Sequence, residues 1–297
     1  MPKEITFLGS QKITIAEIMP RSVIFVGVPT EKGSFFRKGI ARAPLEIRRA
    51  SMRYYYKGMD CLYDPNYDDY FLTGLKIFDL GDLIDNGRLE SEITNTIRKI
   101  SGVKSLPIIL GGDHSISYFA VAAFLEKIQI LHLDAHADFQ RYDESDAAPC
   151  GVVMRKISGL KNVLRVCHVG IRGYLNSGQG IHDSIRMENC FLPSDLLIKN
   201  GVGAVLENLI PKLPVYISFD TDVLDPSICP GTTVPEMSGL SYSLCREIIS
   251  AVAKNFRVLG LDFVEMNPRF DQNKISSFCV SQLIIDSLAS VGLSFAS

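Results

Sequence analysis

The 297-residue sequence has no polybasic run and almost no excess charge of either sign. Its 31 basic and 33 acidic residues leave a formal net charge of -2 at pH 7. Proteins that bind nucleic acid or an anionic membrane surface usually carry clustered lysine and arginine. We therefore expect neither nucleic acid nor a membrane among the partners of this protein.

Signals for secretion and for membrane insertion are also lacking. The N-terminal stretch MPKEITFLGSQKITIAEIMP has neither the basic start nor the apolar core of a signal peptide. No segment of the sequence approaches the ~20 consecutive apolar residues of a membrane helix. The seven cysteines are scattered, odd in number and form no CxxC pair, which favours reduced thiols over a disulfide framework. The sequence thus predicts a cytoplasmic protein.

Apolar runs that read as strands alternate with stretches of helical periodicity. The strands are predicted at residues 23–28, 76–80, 107–110, 129–133, 163–169, 215–219 and 258–263, and the helices at 44–53, 90–101, 115–125, 202–209, 243–254 and 275–293. Strands that are apolar throughout, separated by helices, indicate an α/β protein with a mostly parallel sheet covered on both faces. Neither a repeat nor a linker is visible, so we predict one domain over residues 1–297, with a long loop at 57–74.

Polar, titratable residues follow three of the predicted strands. GGDHS occupies residues 111–115, DAHAD occupies 134–138 and DTD occupies 220–222. The paired glycines suit a sharp turn, and Ser115 is a candidate N-cap for the next helix. In open α/β sheets, ligands bind beyond the carboxyl ends of the strands. These three segments are therefore the candidate functional site.

The alternating spacing within these segments allows their side chains to converge. Side chains of an extended chain alternate between faces, so Asp134, His136 and Asp138 can share a side, as can Asp220 and Asp222. A buried cluster of carboxylates is very costly unless a cation neutralises it. A single DxD or DxH usually marks only a turn, but three together favour a pair of divalent metals. Oxygen-rich ligation with some imidazole favours Mn²⁺ over structural zinc.

The motifs resemble those of a known family. GGDHS, LDAHADF and SFDTDVLDPS look like the three motif blocks of the ureohydrolases, which include arginase and agmatinase. VEMNP at 264–268 resembles the stretch that carries their guanidinium-binding glutamate, and VGIRG at 169–173 looks more like agmatinases than arginases. The resemblance implies a three-layer α/β/α domain with a mostly parallel sheet of about eight strands and a centre of two manganese ions.

The resemblance also implies a ligand set. One metal would take His114, Asp134, Asp138 and Asp220, and the other would take His136, Asp134, Asp220 and Asp222. Asp134 and Asp220 would bridge the two. Asp113 would orient His114 or a neighbouring ligand, and His132 would be a hydrogen-bonded core histidine.

The implied reaction is hydrolysis of a linear guanidine to urea and a primary amine. Asp138 would orient the attacking hydroxide and relay a proton to the leaving amine. Glu265 would hold the guanidinium by a forked, charge-assisted hydrogen bond. The alternative for Glu265 is an ordinary surface glutamate after a strand.

The substrate is less well specified than the reaction. The loop QRYDESDAAPCGVVMRK is acidic, and Asp143 in it would suit a substrate that ends in an amine, such as agmatine, which would yield putrescine; a merely solvated loop explains the same acids. Cys150 falls where many relatives have a histidine that shuttles protons or contacts substrate. GTTVPE at 231–236 departs from the usual GTGTPE. Both departures make a non-standard guanidino substrate more plausible.

Three functions therefore remain open. The first is a manganese-dependent agmatinase, and the second is a related ureohydrolase acting on guanidinobutyrate, arginine or formimidoylglutamate. The third is a non-catalytic member of the family. The resemblance further implies a homo-oligomer, either a trimer or a hexamer.

Overall fold

The computed structural model describes residues 4–34, 36–55, 62–65, 68–141 and 150–295. Asp143, which the sequence suggests as a substrate contact, and its acidic neighbours lie outside the described residues. Within the described part, six cysteines are free, as expected for reduced thiols.

A nine-stranded sheet forms the centre of the protein, and all of its strand pairs are parallel. The predicted α/β architecture is confirmed, with nine strands rather than about eight because a two-residue strand pairs at one edge. The strands are β1 (Gln11–Lys12), β2 (Val23–Val28), β5 (Ile77–Asp82), β6 (Leu106–Gly111), β7 (Ile128–Leu133), β8 (Val163–Ile171), β9 (Cys190–Pro193), β10 (Val215–Asp220) and β11 (Val258–Val264). Their order in the sheet is β1-β5-β2-β6-β11-β10-β7-β8-β9.

Helices cover both faces of this sheet, so the three-layer α/β/α arrangement is also confirmed. The helices are α1 (Ala43–Ser51), α2 (Leu89–Gly102), α3 (Ile116–Val121), α4 (Val153–Ser158), α5 (Gly178–Arg186), α6 (Ser194–Asn200), α7 (Gly203–Asn208), α8 (Tyr242–Asn255) and α9 (Ile275–Phe295). Apolar side chains of α1, α8 and α9 pack on one face, and those of α2, α3 and α4 pack on the other. Burial on both faces explains why the central strands are apolar at nearly every position.

One prediction about the chain is corrected by the structure. The proposed loop at 57–74 contains an antiparallel pair, β3 (Leu62–Asp64) and β4 (Asp69–Phe71). By length and composition alone, the stretch Gln272–Val291, most of which lies in the last helix, is long and apolar enough to cross a membrane. Its apolar residues, among them Leu283 and Ile284, lie in the core beside the sheet, which is typical of a core helix.

The strand order brings the motif-bearing strands together. β6, β11, β10 and β7 are consecutive neighbours at the middle of the sheet. Because they are parallel, the segments that follow them emerge at the same edge. The four segments that carry the candidate residues therefore meet at one place.

Candidate metal centre

A sharp turn after β6 delivers His114 to the sheet edge. A Cβ added at Gly112 would lie 1.8 Å from the carbonyl oxygen of Thr30, so only glycine fits this close approach of two backbones. Ser115 stands at the N-cap of α3 but makes no capping bond. Its hydroxyl instead donates to the carboxylate of Asp113. Ser115 therefore occupies the predicted N-cap position, but its side chain stabilises the turn instead of capping the helix.

The first half of the centre surrounds one nitrogen of a buried imidazole. Nδ1 of His114 lies 3.3 Å from Oδ2 of Asp134, 3.1 Å from Oδ2 of Asp138 and 3.4 Å from Oδ2 of Asp220. Asp134 and Asp138 come from the segment after β7, and Asp220 is the last residue of β10. Three carboxylates around one nitrogen form the oxygen-rich pocket that a divalent cation requires.

The hydrogen bond made by the other ring nitrogen of His114 indicates which nitrogen carries the proton in the neutral ring. Nε2 lies 2.9 Å from the Ser218 hydroxyl, which donates to Oδ1 of Asp262 at 2.8 Å. Because that hydroxyl proton is used on Asp262, Ser218 accepts from the Nε2–H of His114. In the neutral imidazole that a metal requires, Nδ1 then has its lone pair directed at the carboxylates, with no other partner among the described residues. Such a lone pair among acids fits a cation between them.

The second half of the centre is built around His136. Its Nδ1 lies 3.0 Å from Oδ2 of Asp222 and 3.5 Å from Oδ1 of Asp134. The backbone N–H of Ala135 donates to the other oxygen of Asp222 at 3.0 Å and holds that carboxylate in place. Asp134 thus presents one oxygen to each histidine, which suits a carboxylate shared by two cations.

The pKa values of the clustered residues show that the site favours positive charge. Burial opposes the charged form of His114, but the bonds to Asp134, Asp138 and Asp220 outweigh it and raise its pKa well above the ordinary value. Burial likewise opposes the charged form of His136, yet Asp222 and Asp134 raise its pKa to about 12. Burial, then the charges of Asp222 and Asp134, raise the pKa of Asp220. The raised pKa values show that the cluster favours positive charge at these places, so the donor set fits a pair of divalent metals.

Metal uptake should therefore release protons. In the metal-free protein the acids around His114 and His136 raise the pKa of both imidazoles, which favours their protonated forms. Bound metal needs neutral imidazole, so each histidine that becomes a ligand must lose its proton, and affinity should rise with pH. Calorimetric titration with Mn²⁺ in two buffers of different ionisation enthalpy checks this, because equal heats in both would contradict it.

Of two further residues beside the cluster, Asp113 differs from the prediction and His132 agrees with it. Asp113 does not touch the ring of His114; its Oδ2 accepts the backbone N–H of Gly33 at 2.9 Å. It therefore anchors a neighbouring loop. His132 is a buried, hydrogen-bonded histidine, with Nε2 2.8 Å from Oδ2 of Asp134.

Glu265 follows β11 and points into the same site. Its Oε1 accepts the backbone N–H of His114 at 3.0 Å and lies 3.1 Å from Sγ of Cys150, whose thiol donates. Burial, partly offset by a bond from Thr233, raises the pKa of Glu265 to about 7. Burial, then the charge of Glu265, raises the pKa of the Cys150 thiol, which stays protonated. Cys150 thus acts as a hydrogen-bond donor to Glu265.

Two of the candidate residues have unusual backbone conformations. Asp138 has φ 48° and Glu265 has φ 61°, in the left-handed region that residues other than glycine rarely adopt. Such strain persists only where the surrounding structure holds it, and it concentrates at functional sites. Backbone bonds from Met154 to Asp138 and from Glu265 to Gly112 hold the two turns.

A cavity of about 330 Å³ opens over the cluster. Its floor includes His136, Asp138, Asp220, Asp222 and Glu265, and Cys150 lies in its wall. Phe36, Leu175 and Val234 line its outer part. Among the described residues that line the cavity there is neither lysine nor arginine.

The sequence analysis assigns no role to several residues that support the site. Ser218 and Asp262 lie on β10 and β11 and are polar residues within buried strands, which is the signal that could have revealed them. Asn176 accepts the N–H of Ala137 at 2.8 Å and donates to the carbonyl of Ala135. Arg172, within the VGIRG stretch, donates to carbonyl groups of the loops after β10, including that of Asp222 at 2.6 Å.

The fold and the cluster together define a class of protein, an α/β/α protein with a carboxylate and imidazole centre suited to two divalent cations. The sequence profile of the arginase family matches residues 21–289. The human mitochondrial guanidino acid hydrolase is 31% identical over 90% of this chain and 77% of its own length. The agmatinase of Blochmanniella floridana is 31% identical over 89% of this chain and 86% of its own. A crystal structure described as a hypothetical agmatinase from Burkholderia thailandensis superposes with a TM-score of 0.86 at 24% identity, covering 99% of this chain and 92% of that one, and supports the fold.

The chain belongs to the arginase family. This is a family of binuclear metal hydrolases that act on the carbon–nitrogen bonds of small guanidino compounds. The resemblance seen in the sequence is thereby confirmed.

Proposed function

We propose that this protein is a manganese-dependent amidinohydrolase that converts agmatine to urea and putrescine. One observation carries the proposal: Glu265 and four residues of the histidine–carboxylate cluster, His136, Asp138, Asp220 and Asp222, line one cavity. A cation-binding acid beside a metal centre is what cleavage of a guanidinium requires.

The proposed metal ligands are the six residues of the cluster. His114, Asp134, Asp138 and Asp220 would hold one Mn²⁺, and His136, Asp134, Asp220 and Asp222 would hold the other. Imidazole with several carboxylates suits Mn²⁺ better than a thiolate-preferring zinc site. When bound, two such cations lower the pKa of water and stabilise charge that develops on the substrate.

Two residues of the chain would act directly on the substrate. Glu265 would bind the guanidinium through a charge-assisted hydrogen bond, held in orientation by the His114 N–H and the Cys150 thiol. Asp138 faces the same cavity. Its carboxylate would orient the attacking water and pass a proton to the leaving amine nitrogen.

The outer wall of the cavity favours agmatine over the guanidino acids. A substrate such as 4-guanidinobutyrate carries a carboxylate that needs a cationic partner. The described lining residues offer none, and the outer part is formed by Phe36, Leu175 and Val234. These apolar side chains suit the methylene chain of the substrate. Asp143 remains a candidate partner for the terminal amine.

Placing a cation in this wall should shift the substrate preference. Leu175→Arg is expected to raise kcat/KM for 4-guanidinobutyrate relative to agmatine by about fivefold. An exposed ion pair between the new arginine and the substrate carboxylate, worth about 1 kcal/mol, has an effect of this size. Leu175→Gln is the matched control, because it adds a polar side chain without charge. An equal shift in both variants would show that charge at this wall does not select the substrate.

The deciding experiment is a urea-release assay of Mn²⁺-loaded protein on agmatine, arginine, 4-guanidinobutyrate and 3-guanidinopropionate, with release of formamide measured for formimidoylglutamate. The highest kcat/KM is expected on agmatine. A higher value on a guanidino acid would support the related-ureohydrolase alternative. Bound manganese without turnover of any compound would support a non-catalytic member of the family.

We also propose that the protein folds as a single domain over residues 1–297, assembles as a trimer or hexamer and resides in the cytoplasm. Exposed apolar side chains such as Tyr174 and Met237 are compatible with burial between subunits. Analytical ultracentrifugation measures the assembly state.

A further inference from the structure

A line of buried hydrogen bonds runs from the metal cluster into the layer between the sheet and α5. Nε2 of His132 lies 2.8 Å from Oδ2 of Asp134, and Nδ1 of His132 lies 2.9 Å from Nδ1 of His168. Nε2 of His168 lies 3.1 Å from the hydroxyl of Ser184. His132 and His168 are opposite each other on β7 and β8, and all four side chains are buried.

The hydrogen bonds of Asn189, at the far end of this line, indicate which atom donates in each of the bonds. The backbone N–H of Val166 donates to Oδ1 of Asn189 at 2.8 Å, so the amide nitrogen of Asn189 points the other way. That nitrogen donates to the Ser184 hydroxyl oxygen at 3.0 Å. No other acceptor for the Ser184 proton is seen among the described residues, so that proton is directed to Nε2 of His168, which accepts.

The tautomers of both histidines follow from this direction. With Nε2 accepting, a neutral His168 carries its proton on Nδ1 and donates to Nδ1 of His132. His132 must then carry its proton on Nε2, where it donates to Oδ2 of Asp134. The bond directions that begin at the Val166 N–H therefore agree with a His132 proton on Nε2, the nitrogen that faces the shared carboxylate.

The protonated alternative for His168 is strongly disfavoured. Burial, then the neighbouring His132, lowers the pKa of His168 well below its ordinary value. The ring is also enclosed by aromatic groups, stacked on Phe191 with centroids 4.4 Å apart and edge-on to Phe139. His168 is thus held neutral and in one orientation.

We propose that His168 is a positioning residue for the metal centre, which secures Asp134 by holding His132 in its Nε2–H tautomer. Without the donor at His168, Nδ1 of His132 is left buried without a hydrogen-bond partner, and the ring is no longer held from that side. Displacement of the ring would weaken the charge-assisted bond from Nε2–H to Oδ2 of Asp134. Because Asp134 faces both His114 and His136, both cations would bind less tightly. The inference rests on the proposed metal centre.

The test compares two substitutions at residue 168. His168→Asn places an amide nitrogen close to the position of Nδ1 and retains the donor, whereas His168→Leu removes it. Manganese affinity of the full-length protein is measured by equilibrium dialysis with metal analysis. We expect a loss of about tenfold or more for His168→Leu and less than about threefold for His168→Asn, in line with the effect of groups that orient metal ligands.

Thermal unfolding of the metal-free variants separates positioning from packing. Leucine is the better apolar replacement in this buried site, so a pure packing role predicts that His168→Asn is the more damaging change in both stability and affinity. The proposal predicts the opposite order for affinity. If His168→Leu does not fold, His168→Phe, which retains the stack on Phe191, replaces it.

Two negative results have different meanings. Folded His168→Leu with the manganese affinity of the unaltered protein would overturn the positioning role and leave the proposed function standing. Unaltered protein that binds no manganese would overturn the metal centre itself, and the positioning role with it.

Discussion

Asp134→Asn is expected to eliminate urea release, with a loss of about 10³-fold or more, because metal catalysis depends on the centre that this carboxylate joins. Both oxygens of Asp134 already receive donors, Oδ2 from His132 and Oδ1 from the backbone N–H of His136 at 2.6 Å. An asparagine amide nitrogen at either place would set two donors against each other. The substitution therefore removes a shared ligand and disturbs the groups that hold it. Metal analysis after dialysis should show that both cations are lost.

Asp195→Asn is the matched control, since Asp195 is an exposed acid on α6 and the change in charge is the same. It should retain full metal content and activity. If Asp134→Asn kept two manganese ions per chain after dialysis, Asp134 would not be a shared ligand and the proposed division of the cluster would be wrong.

The apolar strands and the site motifs were predictable because each rests on a local signal. A strand buried on both faces must be apolar along its length, and β6, β7 and β10 show this directly in the sequence. Elements without such a signal were missed. β9 has four residues and lies at the sheet edge, and α5 is partly exposed, so neither carries a long apolar pattern.

The supporting residues of the site could not be predicted, because they depend on which strands are neighbours. His168 supports Asp134 only because β8 pairs with β7 in a register that places it opposite His132. Asp262 supports His114 only because β11 pairs with β10 and brings it beside Ser218. The sequence gives the polar residue in an apolar strand, but its partner is set by the order of the sheet. The contact from Cys150 to Glu265 likewise joins residues 115 positions apart.

The second large effect is expected at Glu265. Oε1 of Glu265 accepts hydrogen bonds from the His114 N–H and the Cys150 thiol. In Glu265→Gln the amide oxygen should therefore take the place of Oε1. The amide nitrogen would then face the substrate as a donor opposite a guanidinium that has only donors. Losing a charge-assisted bond and creating this conflict should lower kcat/KM for agmatine by about 10²- to 10³-fold. Most of the effect should be a higher KM, because the guanidinium is held before the reaction begins.

Metal content distinguishes this loss from the loss at Asp134. The Glu265 carboxylate touches His114 through the backbone N–H rather than through the ring, so Glu265→Gln should retain manganese at the level of the unaltered protein. Glu247→Gln, on the exposed side of α8, is the control for the change in charge and should leave kinetics unchanged. Steady-state kinetics and metal analysis on the same preparations decide the matter. Normal kcat/KM in a metal-loaded Glu265→Gln variant would mean that another group binds the guanidinium.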